Sequence, residues 1–86
     1  MMEKQVIVNL PQGLHARPAS AFVRTASVFA SDIGLRKDGK TANGKSIISI
    51  MSLTVAKGEQ VTLTADGPDE QQALEALEKL LTATAE

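Results

Sequence analysis

From residue 5 the chain alternates between apolar and polar positions. In QVIVNL, residues 5–10, Val6, Val8 and Leu10 share one face at a spacing of two, which predicts a half-buried strand. PQG, 11–13, reads as a turn. From Pro18 the spacing changes: Ala19, Phe22, Val23, Ala26 and Phe29/Ala30 recur at steps of three and four, an amphipathic helix of about three turns. Pro18 suits its first turn, where a missing N–H costs nothing. DIGLRKDGKTAN, 32–43, reads as a hairpin in which Ile33 and Leu35 point one way and Asp38-Gly39 makes the turn. Gly34 inside its first strand either weakens it or marks close packing. In KSIISIMSL, 45–53, the apolar residues do not alternate strictly, so a short helix capped by Ser46 is favoured over a strand. After the loop AKGEQ, QVTLTA at 60–65 alternates Val61, Leu63 and Ala65, a clear strand. In the last segment Ala73, Leu74, Leu77, Leu80 and Leu81 form a buried helical stripe. Asp69 with Gln72 resembles a capping box at its start.

The order β-α-β-β-α-β-α, with a short second helix, predicts an α+β fold: a four-stranded antiparallel sheet covered on one face by helices. The other face, carrying Gln5, Ile7, Thr62 and Thr64, is mostly polar and expected to be solvated. At 86 residues, one domain spanning 1–86 is expected. A hydrophobic share of 43% is enough for a core, so disorder is not expected. The chain has no cysteine, which removes disulfides, thiolate metal sites and a cysteine nucleophile, and fits a reducing compartment. Net charge is −1, and Phe22 and Phe29 are the only aromatics, which argues against a nucleic-acid binder working by a basic surface or by base stacking. MMEKQVIVNLP lacks the features of a secretory signal, and no run reaches membrane-spanning length. A cytoplasmic location, no membrane insertion and no cofactor are expected.

His15 is the single histidine. Bland roles compete for it: a surface residue, a loop residue bonding only its neighbours, or a partly buried packing residue. A metal site is disfavoured, because no second His or Cys would share the ion. A serine hydrolase lacks support, because no G-x-S-x-G elbow is present. The surroundings add a further role. His15 precedes a helix, whose first N–H groups point outward and favour anions, phosphate in particular. Arg17 adds a permanent cation with forked donors matched to phosphate oxygens. Pro18 fixes the backbone as the helix begins. An imidazole nitrogen is nucleophilic near neutral pH. Together these residues suit a ring that accepts a phosphoryl group.

The segments GLHARPAS (13–20), DGKTANGKSI (38–47), MSLTVAKG (51–58) and GPDEQQALEAL (67–77) resemble HPr, the histidine-containing phosphocarriers of the bacterial sugar phosphotransferase system. The likeness covers residues 4–82. It implies an open-faced β-sandwich, with two long helices and one short helix on one face of the sheet. It implies that His15 takes a phosphoryl group at Nδ1 from enzyme I and passes it to IIA domains of sugar permeases, with phosphoenolpyruvate as the ultimate donor. Arg17 would assist, and the backbone of Ala16, Arg17 and Pro18 would hold the phosphate. Ile47, Ile48 and Met51 would form the apolar docking surface; the plain alternative is that they are core. The protein would act as a phosphoryl carrier, not a stand-alone enzyme, and as a monomer.

In low-GC Gram-positive relatives, the HPr kinase/phosphorylase modifies the serine matching Ser46, and the product is a co-repressor with the catabolite control protein. GKSI…MSL resembles that type. A phosphate on Ser46 would gain from the helix dipole; the plain alternative is an ordinary N-cap. Ile48-Ser49 stands where the commonest Gram-positive pattern has Met-Gly, and Asn43-Gly44 precedes Lys45 where bulkier residues are frequent; both bear on partner affinity. SDIGLRKDGK and DEQQALEAL also resemble Crh, a paralogue specialised for catabolite repression that lacks the active-site histidine. His15 discriminates the two, and a Crh-like regulator acting through Ser46 remains the alternative. A module binding a small metabolite, on a sheet with an open polar face, is a third.

Overall fold

The computed structural model describes residues 1–11 and 13–82. Gln12, in the expected turn at 11–13, lies outside the described residues. The elements follow in the order β1 (Met2–Ile7), α1 (Ala16–Ser27), β2 (Asp32–Lys37), β3 (Lys40–Asn43), α2 (Ile47–Ser52), β4 (Gln60–Asp66) and α3 (Glu70–Thr82). The four strands form one antiparallel sheet in the order β1-β4-β2-β3. The α+β architecture expected from the periodicity is the one observed. β1 and β2 both run antiparallel to β4, which lies between them, so α1 carries the chain across the last strand of the sheet.

Alternation decides which face is covered. Val6 of β1, Ile33 and Leu35 of β2, Ala42 of β3, and Val61, Leu63 and Ala65 of β4 are all buried. α1 adds Ala19, Phe22 and Ala26, α2 adds Ile50, and α3 adds Ala73, Leu74, Leu77 and Leu81 to the same cluster. Leu80, expected in the α3 stripe, is only partly buried against it. The opposite face carries an exposed Ile7 and a half-buried Thr62 and Thr64, with Arg36 Nη2 3.3 Å from Glu3 Oε1. The β2–β3 turn holds Asp38 at φ 52° and Gly39 at φ 81°. Two successive positive φ values are the signature of the type I′ turn that matches strand twist. Gly34 marks close packing: a Cβ there would stand 2.5 Å from Thr64 Oγ1 of the neighbouring strand.

Two local expectations are corrected. The first strand spans Met2–Ile7 rather than 5–10. Met2, Glu3 and Lys4 show no burial pattern, yet they pair with Ala65, Thr64 and Leu63. Backbone pairing recruits them, which side-chain alternation cannot report. Val8 and Leu10 keep to the core although they lie beyond the strand, and Val8 still exchanges bonds with the β4 approach: its N–H donates to Glu59 O at 2.9 Å, and Gly58 N donates to its carbonyl at 2.7 Å. The second correction is at α3. The Asp69 carboxylate is turned toward the α1–β2 connection, where it accepts from Ala30 N at 2.8 Å, Ser31 N at 3.0 Å and the Ser31 hydroxyl. Glu70 instead reaches back to Gly67 N at 3.1 Å, closing the turn before the helix. Among the described residues, no helix is long and apolar enough to cross a membrane.

Candidate functional site

α1 begins at Ala16 and His15 is its N-cap, with φ −85° and ψ −169°, the extended backbone typical of that position. Its carbonyl accepts the first helical bond, from Ala19 N at 2.9 Å. Its side chain makes no cap hydrogen bond to the helix, and the residue is half-buried at the mouth of α1. Ala16 and Arg17 carry N–H groups with no carbonyl a turn earlier within the helix, while Pro18 has none to offer. Two outward donors therefore flank the ring. Pro18 is buried and anchors the turn, whereas Ala16 and Arg17 are exposed. Among the described residues, no ion pair engages the Arg17 guanidinium. The expected group His15, Ala16, Arg17 and Pro18 is thus contiguous at one helix end.

The loop leading to His15 is pinned. Leu14 is buried, and its N–H donates to Val55 O at 2.9 Å, while Gly13 N donates to Leu10 O at 3.0 Å. Gly13 has φ +72°, and a Cβ on it would fall 2.5 Å from Val55 O. A side chain would be strained there and would also collide.

Ser46 is the N-cap of α2. Its Oγ accepts from Ser49 N at 3.4 Å, and its carbonyl accepts from Ile50 N at 3.0 Å. The preceding Lys45 is held from both ends, its N–H donating to Asn43 Oδ1 at 3.0 Å and its Nζ to Phe29 O at 2.9 Å. α2 sends Ile50 into the core, and Leu53 follows it. Ile47, Ile48 and Met51 point outward, at 38%, 80% and 43% exposure. α2 packs against α1, and Val55, the acceptor for Leu14, lies just past its C-terminus. His15 and Ser46 are therefore served by opposite ends of one six-residue helix, about 9 Å long.

The segment just after α2 is held by residues that the sequence pattern did not single out. Thr54 has φ +55°, uncommon for a β-branched residue. Lys37 Nζ donates to Thr54 O at 2.7 Å and Leu53 O at 3.3 Å, and pairs with Glu59 Oε1 at 2.8 Å. Glu59 also accepts from Ala56 N at 2.7 Å. These donors, the Lys37 ammonium first, hold the Glu59 carboxyl below its usual range. A sequence signal existed only for Gly13, a loop glycine just before a helix; nothing local marks Lys37 as the partner of Glu59, 22 residues away.

Known proteins share this fold. Residues 2–83 match the family described as the PTS HPr component phosphorylation site. The HPr-like protein Crh of Bacillus subtilis (strain 168) is 54% identical over 77 residues, covering 90% of this chain and 91% of that protein. A crystal structure of that Crh, described as a domain-swapped dimer, aligns with a TM-score of 0.79 at 49% identity, over 100% of this chain and 99% of that one. The phosphocarrier protein HPr of Lysinibacillus sphaericus is 50% identical over 82 residues, 95% of this chain and 93% of that protein. An HPr crystal structure from Thermoanaerobacter tengcongensis has a TM-score of 0.93 at 48% identity, over 98% of this chain and 94% of that one.

Proposed function

Because the chain belongs to the HPr family of phosphocarrier proteins, which are not stand-alone enzymes, we propose that it carries a phosphoryl group on His15 from enzyme I to IIA domains of sugar permeases. The observation that carries this reading is the start of α1. The imidazole stands at the helix mouth without capping it, beside the N–H groups of Ala16 and Arg17 and an exposed guanidinium. In the transfer, a lone pair of the His15 ring, at Nδ1, attacks phosphorus as the bond to the donor histidine of enzyme I breaks. One P–N bond replaces another, and the donor ring leaves with its nitrogen lone pair. Charge on the three phosphoryl oxygens is met by the helix-end donors and Arg17, which is the positioning and charge stabilisation such transfers require. Ile47, Ile48 and Met51 form the apolar part of the docking surface for both partners. The carrier works in the cytoplasm as a monomer.

The test is incubation with enzyme I and phosphoenolpyruvate, followed by intact mass. The expected result is a gain of one phosphate that is lost in acid and stable in base. His15→Ala stays folded and takes up none; phosphate uptake by that variant removes His15 from the mechanism. A metabolite-binding role would leave His15→Ala functional, so the same variant separates the two classes. Arg17→Ala accepts phosphate about tenfold more slowly. Sedimentation at working concentration tests the monomer, and a dimer overturns it.

A second reading is favoured by the Crh likeness and by Ser46 at the α2 cap. Here the HPr kinase/phosphorylase modifies Ser46, and the product serves as co-repressor with the catabolite control protein. A phosphate adds about −1.5 to −2 charges beside the exposed Ile47 and Ile48. It disfavours docking to enzyme I and supplies a charge-assisted contact to a basic group of the regulator. Authentic phosphoserine at 46, titrated against both partners, weakens the first and strengthens the second. Unchanged affinity for both reduces Ser46 to a helix cap.

A further inference from the structure

We propose that Lys37, on β2, is a positioning residue for phosphoryl transfer at His15, acting through the backbone of residues 53–56; the proposal rests on the carrier reading above. The Lys37 side chain is only 13% exposed, and its single ammonium faces three oxygens: Thr54 O, Leu53 O and Glu59 Oε1. Three donors meet three acceptors, so the group is saturated. Glu59 extends the grip by accepting from Ala56 N. Leu53 and Thr54 are thus held by a side chain from β2, and Ala56 by Glu59 of its own loop, which the same ammonium holds. Val55 lies between these held residues, and its carbonyl accepts from Leu14 N, one residue before His15.

Two further features make this segment a rigid floor. Thr54 sits at φ +55°, a conformation that persists only where the surroundings over-determine it. Gly13 lies flush against Val55 O and Ala56 Cα, where an added Cβ would approach to 2.5 and 2.8 Å. The path from Lys37 to His15 is therefore continuous: ammonium to the 53–54 carbonyls, rigid turn to Val55 O, Val55 O to Leu14 N, and Leu14 to the N-cap. Without the ammonium, two carbonyls at the end of α2 lose their donor and Thr54 is free to leave its strained well. The Leu14 bond then loosens, and the imbalance falls on the residue whose ring must meet phosphorus in line. Misplacement of a nucleophile slows transfer without weakening partner docking. An exposed ion pair alone would contribute little, so it is the enclosed, shared ammonium that carries the argument.

The experiment compares wild type, Lys37→Met and Lys37→Arg. Methionine keeps an unbranched stem and removes the donors; arginine keeps a cation. Native-state hydrogen exchange is read at the Leu14 amide and at the Leu63 amide in the centre of the sheet. In Lys37→Met the Leu14 amide exchanges about tenfold faster than any change at Leu63 explains. With enzyme I, kcat for phosphoryl acceptance falls about fivefold while KM stays within about twofold, and Lys37→Arg recovers most of both losses. Equal acceleration at Leu14 and Leu63 means general destabilisation and overturns the proposal, as does a wild-type kcat in Lys37→Met. A wild-type protein that takes up no phosphate overturns the carrier reading, and is told apart because that control is scored before any variant. If Lys37→Met does not fold, Glu59→Gln supports the proposal by the same pattern at smaller size and overturns it by equal acceleration.

Discussion

Gly13 and Gly39 both hold positive φ, +72° and +81°, but their surroundings differ. A Cβ on Gly39 meets nothing within 4 Å, whereas one on Gly13 meets the Val55 carbonyl at 2.5 Å and Ala56 Cα at 2.8 Å. Gly39→Ala therefore carries backbone strain alone, about 1 kcal/mol. Gly13→Ala adds overpacking against backbone that has no rotamer to yield, for a total of about 3 kcal/mol. Denaturant melts of the two variants check the difference, and equal costs would remove the close approach as its cause. Gly13→Ala should also slow phosphoryl acceptance, because relief of the collision moves the residue two before His15. The turn glycine was legible from the Asp-Gly pair. The penalty at Gly13 was not, because it depends on a carbonyl 42 positions along the chain.

The start of α3 is an element held from outside itself. Asp69 accepts from Ser31 Oγ, Ala30 N and Ser31 N, and the Ser31 hydroxyl first among these keeps its carboxyl below the usual aspartate value. Gly67 permits the approach, since a Cβ there would lie 2.6 Å from Ser31. A carboxyl with a depressed folded pKa binds its proton less readily in the native state than in the unfolded one. Its contribution is therefore full above the unfolded value, about 4, and is lost as pH falls through the lower folded value. Glu59 acts in the same direction and the same acid range. Melting temperature followed from pH 6 down to about pH 2 should fall less in Asp69→Asn than in wild type, and less again with Glu59→Gln added. Parallel curves for all three proteins would show that neither carboxylate is linked to folding. The helices themselves were readable from spacing, and so was the Ser46 cap. In α2, Ile50 and Leu53 lie three apart and turn inward, leaving Ile47, Ile48 and Met51 outside. The destination of Asp69 was not readable, because the favoured local motif and the observed long-range one use the same carboxylate.

At the scale of the whole molecule, the sheet joins the first strand to the last: Met2 pairs with Ala65, and β4 stands between β1 and β2. The first strand finds its partner about 60 residues further along, a non-local topology that favours cooperative unfolding. α3 closes the layer over β1 and β4, with Leu77 fully buried and Lys4 Nζ 2.8 Å from Glu78 Oε1. Leu77→Ala should lower stability by about 3 kcal/mol, and Leu80→Ala, at a partly buried site, by about 1 kcal/mol. Neither residue supplies a hydrogen bond that pins Gly13 or Leu14, so below the melting transition both variants should accept phosphate at the wild-type rate. Slower transfer by folded Leu77→Ala would mean that the core, and not the local loop contacts, sets the geometry of His15.

The features that the sequence determined by itself are those governed by neighbours within a turn or two. The helical stripes, the alternation in β4, the Asp38-Gly39 reversal, the cap at Ser46 and the choice of buried face all follow from local spacing and local hydrogen-bond chemistry. Tertiary structure decided what depends on where distant segments meet. The pairing of Met2–Lys4, the turning of Asp69 to Ser31, the left-handed Thr54 and the hold of Lys37 on Leu53, Thr54 and Glu59 belong to this group. A backbone donor or a charged side chain carries no address in its own residue type. Its partner is set by which groups the packed core leaves beside it, away from water and in need of a bond.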